Sequence, residues 1–129
     1  MMHKTSLDLS LDTRKKSIEI LQACFVDTLH LSLLAKQAHW NVKGMQFFSL
    51  HELFDKAHSC LSDYTDDLAE RIASLGGTAR GTLKTIQAQT TLQPYPEDIF
   101  KGEEHLRALC KNFAILCKEV REGIPTLEK

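Results

Sequence analysis

The segment from Phe48 to Leu75, FSLHELFDKAHSCLSDYTDDLAERIASL, decides the fold that the sequence predicts. Apolar side chains return every three or four residues along it, as they do on one face of an α-helix. These positions are Leu50, Leu53, Phe54, Ala57, Leu61, Tyr64, Leu68, Ile72 and Leu75. Gly76 and Gly77 follow directly, and glycine at this place commonly ends a helix. The sequence therefore predicts a long amphipathic helix over residues 48–75.

Two further segments, residues 13–40 and 97–122, show the same periodicity, and almost nothing in the chain alternates as a strand does. The connection over residues 78–96 is long and has room for a short helix around residues 82–88. We therefore predict an all-α, antiparallel helical bundle with three long helices. Residues 13–129 form its single domain, and residues 1–12 form a flexible N-terminal arm.

Composition limits the classes of function. Lys and Arg total 16 against 17 for Asp and Glu, so a surface built as a whole to hold nucleic acid is excluded. No apolar run approaches the length that spans a bilayer, and no export signal is recognisable, so no membrane partner is expected. The four cysteines form no CxxC pair and are expected to stay reduced. These features predict a cytoplasmic protein.

A second stripe runs along the predicted 48–75 helix, away from its apolar face. At about 100° per residue, four potential metal ligands fall on one side: His51, Asp55, Asp66 and Glu70. Small residues, Ser59 and Ser62, lie between them, and the stripe contains no Lys or Arg. A merely solvated polar surface is the alternative interpretation, since most charged helix faces only contact water.

The stripe is too long to surround one metal ion within a single helix. Asp55 and Asp66 are about 16 Å apart at a rise of 1.5 Å per residue. However, the pair His51–Glu70 and the pair Asp55–Asp66 share one midpoint on the helix. An identical antiparallel helix, related by a two-fold axis at that midpoint, brings His51 and Asp55 of one copy against Asp66 and Glu70 of the other. The pattern therefore predicts two equivalent sites in a homodimer.

His39, at the end of the first predicted helix, is the natural addition to this set. Imidazole and carboxylate ligands suit iron, manganese or zinc. Open positions and the lack of cysteine ligands favour redox iron over structural zinc. No Glu-x-x-His sequence occurs in the chain, which disfavours a di-iron site inside one subunit.

The stretch His39-Trp-Asn-Val-Lys-Gly44, followed by Leu50-His51 and Asp55, resembles the signature of the Dps family, the mini-ferritins (DNA-binding proteins from starved cells). A second stretch, Asp66-Asp-Leu-Ala-Glu70-Arg71 followed by Leu75-Gly76, is similar to the family's other signature. The spacing between the two also fits, and the resemblance covers roughly residues 15–123.

The resemblance implies a ferritin-like four-helix bundle that assembles into a hollow dodecamer. It implies a ferroxidase that oxidises ferrous iron with hydrogen peroxide or oxygen, stores ferric iron and protects against oxidative damage. The implied ligands are His39, His51 and Asp55 of one chain with Asp66 and Glu70 of its two-fold mate, and Trp40 flanks the centre. The chain ends soon after the third predicted long helix, so the family's fourth helix is expected to be absent and the domain incomplete at its C-terminal side.

The N-terminal segment is the candidate for DNA contact. Lys4, Arg14, Lys15 and Lys16 give it a basic character, and several family members bind DNA through lysine-rich tails, which implies a place in the bacterial nucleoid. Ordinary solvated side chains are the simpler interpretation. Two alternatives to the ferroxidase therefore stand: a non-enzymatic DNA-binding scaffold for stress protection, and a truncated fragment unable to assemble.

Overall fold

The computed structural model describes residues 1–129 and contains four helices. They are α1 (Leu11–Asn41), α2 (Phe47–Ser74), α3 (Leu83–Gln89) and α4 (Gly102–Leu127). The all-α class and the three long helices are confirmed. The expectation that a fourth helix is absent is wrong, because the structure contains four helices; one of them is α3, which forms in the long connection where the sequence left room for a short helix.

Local hydrogen bonds set the ends of α1 and α2. The Ser10 hydroxyl oxygen accepts from the Thr13 amide at 3.1 Å, so α1 begins two residues before the predicted start. At the end of α2, Gly76 has a φ of +89°, and its amide donates to the Ala73 carbonyl at 2.9 Å. Glycine adopts this left-handed conformation without steric cost. The predicted end of α2 at the glycine pair is therefore confirmed.

The last helix lies about five residues later than predicted, at Gly102–Leu127 rather than 97–122. At its start, a Glu104 carboxylate oxygen accepts from the Lys101 amide at 3.1 Å and fixes the first turn there. Gly123 and Pro125 are residue types that commonly end helices, but both lie inside α4. Proline costs least where it is near a helix end, and here only two residues of α4 follow Pro125.

The core lies where α1 packs along both α2 and α4. Its largest cluster joins apolar side chains of all three helices, among them Leu31, Ala35, Phe54, Leu61 and Leu109. Further along, α2 and α4 leave between them a groove of about 920 Å³ whose apolar wall includes Leu68, Phe113 and Val120. The first half of the ligand stripe, at His51 and Asp55, therefore borders α1, while Asp66 and Glu70 are exposed in the second half of α2.

α1 is the most apolar of the helices. By length and composition alone, α1 is long and apolar enough to cross a membrane. This corrects the expectation that no apolar segment approaches the length of a membrane span. Half of its most apolar window is buried inside the bundle. A helix in the middle of a helical core has this composition for the same reason as a membrane span, because neighbours surround it with apolar groups.

Candidate metal centre

The predicted ligands lie on two helices and in two separate groups. His39 is in the last turn of α1, next to His51 and Asp55 in the first half of α2. Asp66 and Glu70 are exposed in the second half of α2. No group of three or more His, Cys, Asp or Glu side chains within the single chain is close enough to hold a metal ion. The ligand set as a whole stays a prediction.

The two histidines contact each other through reciprocal hydrogen bonds and ring stacking. The Nδ1 of His39 lies 2.6 Å from the main-chain carbonyl oxygen of His51, and the Nδ1 of His51 lies 2.8 Å from that of His39. The rings stack with their centres 3.6 Å apart. A carbonyl oxygen only accepts, so each Nδ1 carries a hydrogen, and Nε2 is the only ring atom of either histidine that could bind a metal ion. Such a contact orients a histidine for metal binding.

Asp55 forms an ion pair with Lys36 of α1. The hydrogen bond from Lys36 holds the pKa of Asp55 below its usual value, with smaller help from the charges of Lys36, His39 and His58. Asp55 is therefore a carboxylate at neutral pH. In this state the Lys36 ammonium occupies one oxygen that a metal ion would need.

Aromatic side chains lie next to the two histidines. The Phe47 ring packs on His51 with centres 4.9 Å apart. Phe48, 70% exposed, lies on the ligand side of α2 by helical spacing, and Trp40, next to His39 in the chain, is 65% exposed. The position of Trp40 beside the centre stays a prediction. An exposed apolar border of this kind is typical of surfaces that meet another protein.

Sequence reasoning gave no role at the site to Lys36, Phe47 or His58. His58 lies on the same side of α2 as Asp55, and its Nδ1 donates to the Ser32 carbonyl at 2.8 Å. Lys36 is one helical turn before His39, and this spacing was the only available signal. Its contact with Asp55 depends on how α1 packs against α2, which the pattern of either helix alone leaves open.

The basic residues near the N-terminus are partly engaged within the chain. Arg14 donates to the Leu75 carbonyl at 3.2 Å, beyond the end of α2. Lys16 pairs with Asp12 at 2.9 Å. Lys4 and Lys15 are exposed. Of the four candidates for DNA contact, two therefore already have protein partners.

Comparisons with known proteins agree on one family. A family model described as "Ferritin-like domain" matches residues 18–129. The chain is 40% identical over 122 residues to the DNA protection during starvation protein of Agrobacterium fabrum, covering 95% of this chain and 75% of that one. The corresponding values for the Helicobacter pylori protein of the same name are 32% over 114 residues, 88% and 79%.

Solved structures give the same result for the fold. DpsC from Streptomyces coelicolor superposes with a TM-score of 0.93 at 29% identity, over 99% of this chain and 75% of that one. Dps from Mycobacterium smegmatis gives 0.91 at 31% identity, over 97% and 77%. The helices, the family model and the relatives agree, and the chain belongs to the Dps family of ferritin-like proteins.

Proposed function

We propose that this chain oxidises ferrous iron and sequesters the ferric product at a site between two of its copies. One copy supplies His39, His51 and Asp55, and its two-fold mate supplies Asp66 and Glu70. The observation that carries the proposal is the reciprocal contact of the two histidines, which engages both Nδ1 atoms and leaves both Nε2 atoms outside the contact. Membership of an iron-storing family supports the same chemistry.

The register of α2 favours a shared site. The ligands of α2 form two half-sets, His51 with Asp55 and Asp66 with Glu70, whose positions are symmetric about one point of the helix. An antiparallel second α2 therefore brings each half-set against the other half-set of its partner. The exposed Phe48 ring lies on the ligand side of α2 by helical spacing, and a second copy would bury it. A homodimer is then the smallest active unit, and a hollow dodecamer is the assembly that the family implies.

The reaction is an electron transfer whose substrate is iron. Two ferrous ions give one electron each to hydrogen peroxide, which takes up two protons and leaves as two water molecules. Carboxylates stabilise the ferric state more than the ferrous state because the product carries more positive charge. The histidines orient the ion, and Asp55 binds it after Lys36 is displaced. Oxygen is the alternative oxidant.

Complementation between two inactive chains tests the shared site. One chain carries His51→Ala and Asp55→Ala, and the other carries Asp66→Ala and Glu70→Ala. Each alone should lose fast oxidation of ferrous iron by stoichiometric peroxide. When equal amounts are unfolded and refolded together, random pairing rebuilds about one quarter of the sites. The initial rate should therefore return to about one quarter of the parental rate.

A matched control removes two other exposed carboxylates of the same helix, with Asp63→Ala and Asp67→Ala. This chain should keep the parental rate. A mixture no faster than its two components would contradict the shared site. Parental rates in the separate variants would contradict the choice of ligands. The two failures are thus distinguishable.

Stress protection through DNA contact is the second candidate. It rests on the relatives' name, DNA protection during starvation protein, and on the exposed Lys4 and Lys15. Contacts this few bind DNA only when an oligomer repeats them. A gel shift at low salt should therefore be lost when both lysines are replaced by alanine. The place of action would be the cytoplasm, including the nucleoid.

A further inference from the structure

A buried carboxyl group lies in the middle of α1, next to the segment that follows α3. Asp27 is completely buried, yet no Lys, Arg or His forms an ion pair with it. Its oxygens accept from neutral groups of the segment after α3. These donors are the Thr90 hydroxyl at 3.0 Å, the Thr91 amide at 2.9 Å and the Thr91 hydroxyl. The Asp27 carboxyl group thus has hydrogen-bond donors around it but no cation paired with it.

A second carboxyl group reaches the same place from α4. Glu119 is half-buried and stands against Asp27, and its Oε2 is shielded from solvent with no hydrogen-bond partner. The other titratable groups facing the pair are Cys24 and His30, both on α1. Burial raises the pKa of the Cys24 thiol to about 11 and lowers the pKa of His30, so both are neutral near pH 7. No cation therefore balances two negative charges here.

We propose that Asp27 and Glu119 share one proton. This proton stabilises the contact between α4 and α1, and it makes the free energy of unfolding of the bundle depend on pH. The Glu119 carboxyl O–H donates to Asp27, so the pair carries one negative charge instead of two. Two adjacent carboxylates without a cation repel each other strongly in a poorly solvated place. Loss of the proton therefore loosens the contact of α4 with α1 and with the Thr90–Thr91 segment.

The direction of the pH effect follows from this arrangement. Burial, then the hydrogen bond and charge of Asp27, raise the pKa of Glu119 to about 7 from 4.5. The folded chain keeps a proton in this interval that the unfolded chain releases. The stabilisation is complete below pH 4.5 and is lost as the pH rises through about 7. Above that, the contribution stays absent.

Urea unfolding of the full chain without iron, at pH 5 to 8, tests the proposal. The ratio of folded to unfolded parent should fall with rising pH, by up to about tenfold per unit where only the folded state holds the proton. In Glu119→Gln, the amide N–H donates to Asp27 at every pH, so this part of the fall should disappear. Glu122→Gln, on the same helix in an exposed pair with Lys118, should behave as the parent does.

Infrared spectroscopy gives a second readout that does not need the variant to fold. The parent should show the C=O stretch of a protonated carboxyl group at pH 6, and this band should vanish as the pH passes about 7. Absence of that band would overturn the proposal. So would a folded Glu119→Gln chain whose stability falls with pH as steeply as the parent's.

Discussion

His39 and His51 each direct their Nδ1 atom to the main-chain carbonyl oxygen of the other, at 2.6 and 2.8 Å. The contact joins the last turn of α1 to the first turns of α2, and it fixes the orientation and the tautomer of both rings. Each histidine is therefore both a candidate ligand and the support of the other.

His39→Ala should for this reason cost more than one ligand. The His51 ring loses its stacking partner, although the main-chain carbonyl of residue 39 remains, so the affinity for Co²⁺, a probe for Fe²⁺, should fall by more than the loss of one isolated ligand. Isothermal titration measures it, with His3→Ala as the control. An effect on Co²⁺ affinity equal to that of Asp66→Ala would argue against mutual support.

Lys36→Gln should raise the affinity of the site for divalent cations, because a metal ion no longer competes with the ammonium group for Asp55. The pKa of Asp55 should move up toward its usual 3.8, since the Lys36 hydrogen bond is what lowers it. Carbon NMR of the carboxyl group reports this shift, and Co²⁺ titration reports affinity. Weaker Co²⁺ binding in the variant would mean that Lys36 positions Asp55 instead of blocking it.

The same ion pair predicts a small acid sensitivity. The depressed pKa of Asp55 means that the pair contributes stability above the usual carboxyl pKa and loses it as pH falls through the lower, folded value. The Asp55 side chain is 47% exposed, so solvent screens most of this contribution. Lys36→Gln should therefore change the urea midpoint at pH 7 only slightly.

Gly76→Ala should destabilise the fold and release the N-terminal residues. A Cβ there would lie 2.5 Å from the His3 carbonyl oxygen, in addition to the strain of a φ of +89°. Gly44, with a φ of +116° and open space around it, is the matched control. Gly44→Ala should cost about 1–2 kcal/mol, and Gly76→Ala clearly more. Equal urea midpoints for the two variants would show that the His3 contact contributes nothing.

Phe54→Ala tests the core directly behind the ligand stripe. This side chain is 2% exposed and belongs to the main apolar cluster, so its truncation should cost about 3–5 kcal/mol of unfolding free energy. Leu83→Ala, at a side chain 79% exposed on α3, should change it by less than about 0.5 kcal/mol. Thermal denaturation followed by circular dichroism compares the two.

The periodicity of apolar residues was enough to predict the three long helices and the end of α2 at Gly76. It failed at α4, because Gly123 and Pro125 normally end helices but here lie within the last turns. The ligand stripe was visible because it depends on one helix only. The histidine contact, the Lys36–Asp55 pair and the Asp27–Glu119 pair were not, since each joins residues of different helices whose relative placement depends on tertiary packing.

In a cell that holds two versions of the gene, the separation of the two half-sets along α2 determines how many sites a damaged version removes. If one version lacks His51 and Asp55, random assembly leaves half of the proposed sites complete, because the damaged chain still supplies Asp66 and Glu70 to an intact partner. If that version also lacks Asp66 and Glu70, only a quarter remain. Damage at one end of the helix thus removes half of the sites, while damage at both ends removes three quarters.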